Sequence, residues 1–398
     1  MEAAHAKSFC STPVDETCYC HYLITSARRP VVPELGPLAD QILNKLKDRQ
    51  ITPDAASYGA AIRTWKNSAL NPLFGDSREI SINRACDLLD ELSLAVHRST
   101  LRKVEPSTIH YNDTLEALSA SYRRDAVDRA EALLKTMEDS IATFNTRQTS
   151  DVRPNADSYR WCLQVYVKSK RQDKVTTAKA LLDRMRVNYE DAVKDKSSEE
   201  SIVAAYNAFI RVCGSNEAAE DEEANILVLR EALQAVQDLR SRYNISPDSE
   251  TYTALLDACK NLLSLGEERS RAIQSVFETC CEEGLVNEHV LSALKHSVSP
   301  EQYLSLVIGK SEEVEGTRMV PEEWTRNVGK ERVITAQGRR SAPLSVDGRY
   351  TITKAMKEYK MRKLRSKVNR SVLQGGRLKL DPKKRGRPMR IRLDEESV

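Results

Sequence analysis

The feature that most restricts the fold is a motif that recurs along the chain. Its clearest copy, residues 247–260, reads Pro-Asp-Ser-Glu-Thr-Tyr-Thr-Ala-Leu-Leu-Asp-Ala-Cys-Lys. Pro247 has no backbone donor and turns the residue before it away from helix, so it ends whatever precedes it. Asp248 or Ser249 offers a side-chain oxygen to the first amides of a new helix. Tyr252, Leu255, Leu256 and Cys259 then recur at three- and four-residue intervals, which is one apolar helical face. A repeated unit of this kind sets the architecture before composition is considered.

Alignment on the aromatic position gives Cys18, Tyr58, Tyr111, Tyr159, Tyr206 and Tyr252. Five residues earlier stand Pro13, Pro53, Pro106, Pro154, Ser201 and Pro247, and four residues later Tyr22, Ile62, Leu115, Leu163, Ile210 and Leu256. A second apolar stripe follows in each unit, as in Ala130, Leu133, Leu134 and Met137. Each unit is therefore predicted to be a helical hairpin with one buried stripe per helix, too small to fold alone, so that neighbours must stack. Anchor spacings of 40, 53, 48, 47 and 46 residues put the extra residues in polar stretches. Stretches 71–75 and 217–223 fall inside hairpins, and 144–152 and 191–200 fall between them, where added length costs little closure entropy.

The rest of the composition agrees with a helical chain. Charged residues make up 30 % of the 398, and Gly and Pro contribute only 14 each. No run approaches the roughly 18 apolar residues a membrane helix needs, so no membrane association is expected. The nine cysteines are scattered, with Cys162, Cys213 and Cys259 on apolar faces, which predicts reduced core thiols rather than a disulfide framework. The histidines are dispersed, Cys18-Tyr19-Cys20-His21 is too tight for a zinc quartet, and there is no glycine-rich phosphate loop. The expectation is a protein without metal, cofactor or catalytic activity. Residues 1–11 hold no signal core and no arginine run, while residues 13–18 already read as a repeat start, so the chain is expected to begin inside its own array.

Charge divides the molecule. Residues 329–398 hold 21 Lys/Arg against 7 Asp/Glu, net +14, and residues 1–328 hold 40 against 51, net −11. Phosphate attraction is thus assigned to the tail, and little of it to the repeats.

The Pro before the aromatic, the pairs Ser57-Tyr58, Ser158-Tyr159 and Thr251-Tyr252, and the closing spacing of residues 46–53 resemble the pentatricopeptide repeat family more than the tetratricopeptide pattern. The resemblance covers residues 13–288, in units mostly longer than the family's. It implies an all-α, right-handed α-solenoid of stacked hairpins, with the first helices lining a groove for single-stranded RNA. In that family the residue after the Tyr and the residue after the closing Pro together contact one base edge. The corresponding pairs are Tyr19 with Asp54, Gly59 with Ser107, Asn112 with Asn155, Arg160 with Ile202, Asn207 with Asp248, and Thr253 with Glu288. Two fit the family's polar pattern, Asn112 with Asn155 and Asn207 with Asp248. Ile109, two residues before its Tyr, is the position that would stack on a base. Glu16, Asp157 and Glu250 put carboxylates at that same position, so one or two isolated contacts are expected rather than a track of six bases. The implied function is a non-catalytic RNA-binding adaptor in RNA processing, stability or translation, in a mitochondrion or plastid. The acidic body also suits a protein-interaction scaffold.

Residues 289–328 are expected to cap the array with short helices around Val290, Leu294 and Tyr303, and with Trp324 packed on the last unit. The tail, 329–398, reads as largely disordered, with a linker at 338–343 and a thinly apolar basic helix over 351–373. Within 382–390, the residues Lys383, Lys384, Arg385, Gly386, Arg387 and Pro388 resemble an AT-hook. An extended Arg-Gly-Arg is slim enough for the minor groove of an A·T tract, and Gly386 leaves the backbone free to approach its floor. That motif gives the alternative reading, a nuclear protein bound to DNA or chromatin.

Overall fold

A computed structural model describes residues 35–98, 105–147, 152–189, 196–216, 222–314 and 317–328, together with Tyr22, Thr25 and residues 334–335 and 338–339. The first repeat copy around Pro13 and Cys18, the helix expected over 351–373 and the basic motif at 382–390 lie outside the described residues.

The described residues are overwhelmingly helical, in an alternation that follows the repeat. The helices that begin units are α2 (Ala55–Leu70), α4 (Thr108–Leu118), α6 (Ala156–Val167), α8 (Lys196–Gly214), α10 (Ser249–Leu262) and α12 (Glu288–Ser297). The helices between them are α1 (Leu35–Asp48), α3 (Arg78–Arg98), α5 (Ala126–Arg147), α7 (Lys174–Tyr189), α9 (Glu222–Tyr243) and α11 (Glu267–Glu282), and α13 (Pro300–Leu306) follows α12. Each even-numbered helix packs on the odd-numbered helices to either side of it and on its even-numbered neighbours.

That placement explains the sequence pattern. Even helices are surrounded, so they bury residues on most of their circumference: Tyr206, Ala208, Phe209, Ile210, Val212 and Cys213 are consecutive or nearly so in α8, and all are buried. Small residues allow close approach, and a Cβ on Gly214 would come within 3.0 Å of the Ala258 main chain. Odd helices bury a single stripe, such as Ile82, Ala85, Leu88, Leu89 and Leu92 in α3.

The anchor residue is tyrosine rather than phenylalanine because its ring is buried while its hydroxyl reaches charges on the odd helices. The Tyr159 hydroxyl donates to Glu138 (2.8 Å), which also pairs with Arg184. The Tyr252 hydroxyl donates to Glu283 (2.6 Å) and accepts from Arg240 (3.0 Å). Arg186 donates to the Tyr206 hydroxyl (3.1 Å) and pairs with Asp238 on the next odd helix.

The links after α1, α9 and α11 are short and alike. Gln50 (φ 60°), Asn244 (φ 54°) and Gly284 (φ 70°) adopt the left-handed conformation that closes a helix C-terminus. Behind each, an aliphatic residue bonds back into the helix: Ile51 N to Leu46 O (3.0 Å), Ile245 N to Leu239 O (3.1 Å) and Leu285 N to Cys280 O (3.1 Å). Asp54, Asp248 and Asn287 then cap α2, α10 and α12 by accepting from the amides of Ser57, Thr251 and Val290.

Two regions depart from the sequence reading. The sequence places residues 191–200 in a connection, but α8 begins at Lys196 and runs through Ser201 without a break. Ser201 occupies the position of the usual proline, and with a backbone donor present nothing stops the helix from extending backward. The C-terminal cap is not purely helical: Glu312–Val314 pairs antiparallel with Thr317–Met319, and Ile334–Thr335 with Gly338–Arg339, a segment read as linker. After the first pair the chain returns to the turn behind α11. Trp324 packs edge-on to Phe277 with centroids 5.5 Å apart, the Val286 amide donates to Trp324 O (2.8 Å), and the Asn327 amide donates to Gly284 O (2.9 Å).

Six free cysteines lie in the described residues, and five are buried. Burial pushes the Cys259 thiol up to about 11. Among the described residues no helix is long and apolar enough to cross a membrane, and no group of His, Cys, Asp and Glu is arranged to hold a metal ion.

Gly284 combines a positive φ with crowding, since a Cβ would meet Arg326 Cγ at 2.4 Å and Glu323 O at 3.0 Å. Gly284→Ala is expected to cost about 2 kcal/mol, from the left-handed penalty plus displacement of the returning segment. Chemical denaturation checks this, and an unchanged midpoint would mean that residues 317–328 do not clamp this turn.

Candidate nucleic-acid interface

The even helices present two kinds of polar structure: buried or half-buried junctions between successive even helices, and a groove that crosses several of them. The junctions contain the residue pairs singled out from sequence. Asn112, on α4, donates from Nδ2 to Asn155 Oδ1 (3.1 Å), and its Oδ1 accepts from Ser158 Oγ (2.6 Å). Asn155 caps α6 and accepts from the Ser158 amide (3.1 Å). Two interfaces along, between α8 and α10, Asn207 donates to Asp248 Oδ1 (3.0 Å) and accepts from Thr251 Oγ1 (2.6 Å), while Asp248 accepts from the Thr251 amide (2.8 Å). Each asparagine joins one helix to the cap and third residue of the next, with both ends of its amide satisfied. Asn207 is 1 % exposed, so a base edge could reach it only after these bonds opened.

The other pairs behave differently. At Gly59 and Ser107 the third residue is His110, whose ring fills the volume that an asparagine would occupy; a Cβ on Gly59 would lie 2.6 Å from His110 Nε2. Nε2 donates to Ala55 O (2.9 Å), and Nδ1 accepts the Ser107 amide (2.9 Å). Burial holds the His110 imidazolium below its usual range. Its Nδ1 lone pair is already used, so a second ring proton would face an N–H. Ile202 is buried within α8, and Arg160 pairs instead with Asp157 (3.5 Å). The N-cap of α12 is Asn287 rather than Glu288, so Thr253 meets no cap residue at position 288. Tyr19 lies outside the described residues. Ile109 is 59 % exposed on the first turn of α4.

The groove was not anticipated. A cavity of about 430 Å³ is lined by Leu70 of α2, Arg78 of α3, Ser119, Ala120 and Tyr122 after α4, Arg160, Trp161 and Gln164 of α6 with Lys168 at its C-cap, Ala204 and Arg211 of α8, and Glu250 of α10. Four cations and two aromatic rings share this surface with one carboxylate. Arg160 lies 3.9 Å from the Trp161 ring centroid. Tyr122, 70 % exposed, has Arg78 at 5.5 Å and Lys168 at 4.6 Å from its centroid. The carboxylates that the sequence placed in the path of a base are neutralised there: Asp157 by Arg160, and Glu250 by Arg211. The signal available in the sequence was the 160, 164, 168 spacing on α6, one helical face ending in two cations. Averaging the charge of the whole body concealed it.

The chain matches no family model and no curated protein sequence. What defines it is therefore its own geometry: among the described residues, a predominantly helical chain whose alternate helices pack in sequence and share a cationic, aromatic groove.

The Gly59–His110 fit yields a mutant cycle. Gly59→Asn alone is expected to destabilise by about 2 kcal/mol through overpacking, and His110→Ser in the same chain to recover most of that by rebuilding the asparagine junction. Additive effects would show that the two positions are not in contact. A histidine held neutral in the folded state contributes no penalty above its unfolded value, about 6.5, and costs stability as pH falls below it, because the unfolded chain binds a proton that the folded one does not. Stability is thus expected to decline as pH falls below about 6.5, a slope that His110→Gln removes; an unaltered slope in urea titrations would reject this assignment.

Proposed function

We propose that the chain is a non-catalytic helical-repeat protein, an α-solenoid of the pentatricopeptide kind, that binds single-stranded RNA along its even-numbered helices. The observation that supports this reading is the groove around Tyr122 and Trp161. The exposed Tyr122 ring and the half-buried Trp161 ring offer stacking surfaces that accept any base, and the neighbouring cations attract the backbone. The asparagine junctions, buried at Asn207 and half-buried at Asn112, then act chiefly as spacers that hold successive even helices in register, and sequence reading falls to side chains open to solvent, Ile109 among them. The basic tail adds attraction that is independent of sequence. RNA processing, stability or translation in an organelle belongs to the same proposal through the family resemblance.

Photocrosslinking of the full chain to 4-thiouridine RNA at low salt tests it. Crosslinks are expected in the peptides carrying Tyr122 and Trp161, and Tyr122→Ala with Trp161→Ala is expected to weaken groove binding by about 1–3 kcal/mol for each base unstacked. Crosslinks confined to residues 329–398 would overturn the groove as an RNA surface.

A further inference from the structure

The four cations of the groove are not equivalent. Arg160 and Arg211 have carboxylate partners in Asp157 and Glu250. Neither Arg78 nor Lys168 is within ion-pair distance of a carboxylate among the described residues, yet both lie against the same ring, that of Tyr122. Arg78 Nε is buried with no hydrogen-bond partner among the described residues. The carboxylate that acts on Lys168 is Glu79, whose Oε1 accepts from Ser121 Oγ (2.7 Å) and the Tyr122 amide and whose Oε2 is buried with no hydrogen-bond partner among the described residues. Burial, and after it the proximity of Arg78, push the Lys168 ammonium down. Two like charges beside one ring raise the energy of the free protein, and an anion within reach of both lowers it. A phosphodiester supplies one negative charge, whereas a phosphomonoester near neutral pH supplies nearly two. The cavity, at about 430 Å³, is at the small end of ligand pockets and suits a single nucleotide better than a continuous strand.

We infer that the Arg78–Lys168 end of the groove is a seat for a phosphomonoester, the terminal phosphate of a nucleotide or of an RNA strand, with the adjoining base stacked on Trp161 or Tyr122. The inference rests on the groove being a nucleic-acid surface, and it adds that the surface recognises an end rather than an internal segment.

The test uses the full chain and oligouridylates bearing a 5′-phosphate, a 3′-phosphate or neither, with uridine monophosphate, uridine and inorganic phosphate as competitors. One phosphorylated oligonucleotide is expected to bind about tenfold tighter than the unphosphorylated one, the scale of one charge-assisted hydrogen bond. Lys168→Gln should abolish that preference and Lys168→Arg retain it, which separates loss of charge from loss of fold. The preference should also shrink as pH drops below about 6, where the monoester dianion takes up a proton and keeps a single charge. Competition by uridine monophosphate but not by uridine supports a nucleotide seat, and competition by inorganic phosphate alone at equal strength removes the base from it. Equal binding of all three oligonucleotides, or a preference that survives Lys168→Gln, overturns the seat. If crosslinks to Trp161 persist in that case, strand binding stands without it. If uridine monophosphate binds but no oligonucleotide crosslinks to the groove, the seat stands and strand binding falls.

Discussion

Contact between successive even helices is the constraint on which the rest of the molecule depends. A single hairpin buries only one face of each helix, and the surrounded helices become a core only when the next hairpin covers them. That contact carries polar groups that must be satisfied without water. In two interfaces an asparagine amide does this, reaching from one helix into the cap of the following one, and in a third His110 does it across the space left by Gly59. These bonds lie among side chains such as Ser158 and Thr251 with no exposed surface, so a missing partner would leave a buried polar group uncompensated. They fix how each helix start faces its neighbour, and hence which residues stand open in the groove.

The groove shows why charge has to be read locally. Residues 1–328 carry net −11, but much of that charge is used on the odd helices, in pairs such as Lys47–Glu91 (2.6 Å) and Lys179–Glu231 (2.6 Å) and in the partners of the anchor tyrosines. Between even helices, Lys66 meets Asp113 (2.7 Å) and Glu116 (2.9 Å) in the same manner. Around Tyr122 the pairing is incomplete, and a positive surface results. Screening by water and salt confines such fields to about 8–10 Å, so a sum over the whole chain says little about any one surface.

Much of the helical pattern was legible from one recurring unit, because Pro, a capping side chain and a three-four apolar spacing each act within a few residues. Pro247, Asp248 and Tyr252 are found in the roles those rules assign, and the exception at Ser201 follows from the same chemistry. The candidate site was legible only in part. The spacing correctly brought Asn112 to Asn155 and Asn207 to Asp248, but it carried no information on whether those amides face water or one another. The Gly59–His110 exchange was also hidden, because the two residues are 51 positions apart and complementary only in shape.

By itself, then, the sequence determined helix starts, helix faces and the repeat that orders them, all properties of short-range backbone and side-chain physics. Only the tertiary structure decided which polar residues are spent on internal junctions and which cations remain without partners. Those outcomes depend on distances between residues roughly one unit apart or more, such as Arg78 and Lys168, which meet across Tyr122 because α3 and α6 are both held against the same intervening turn.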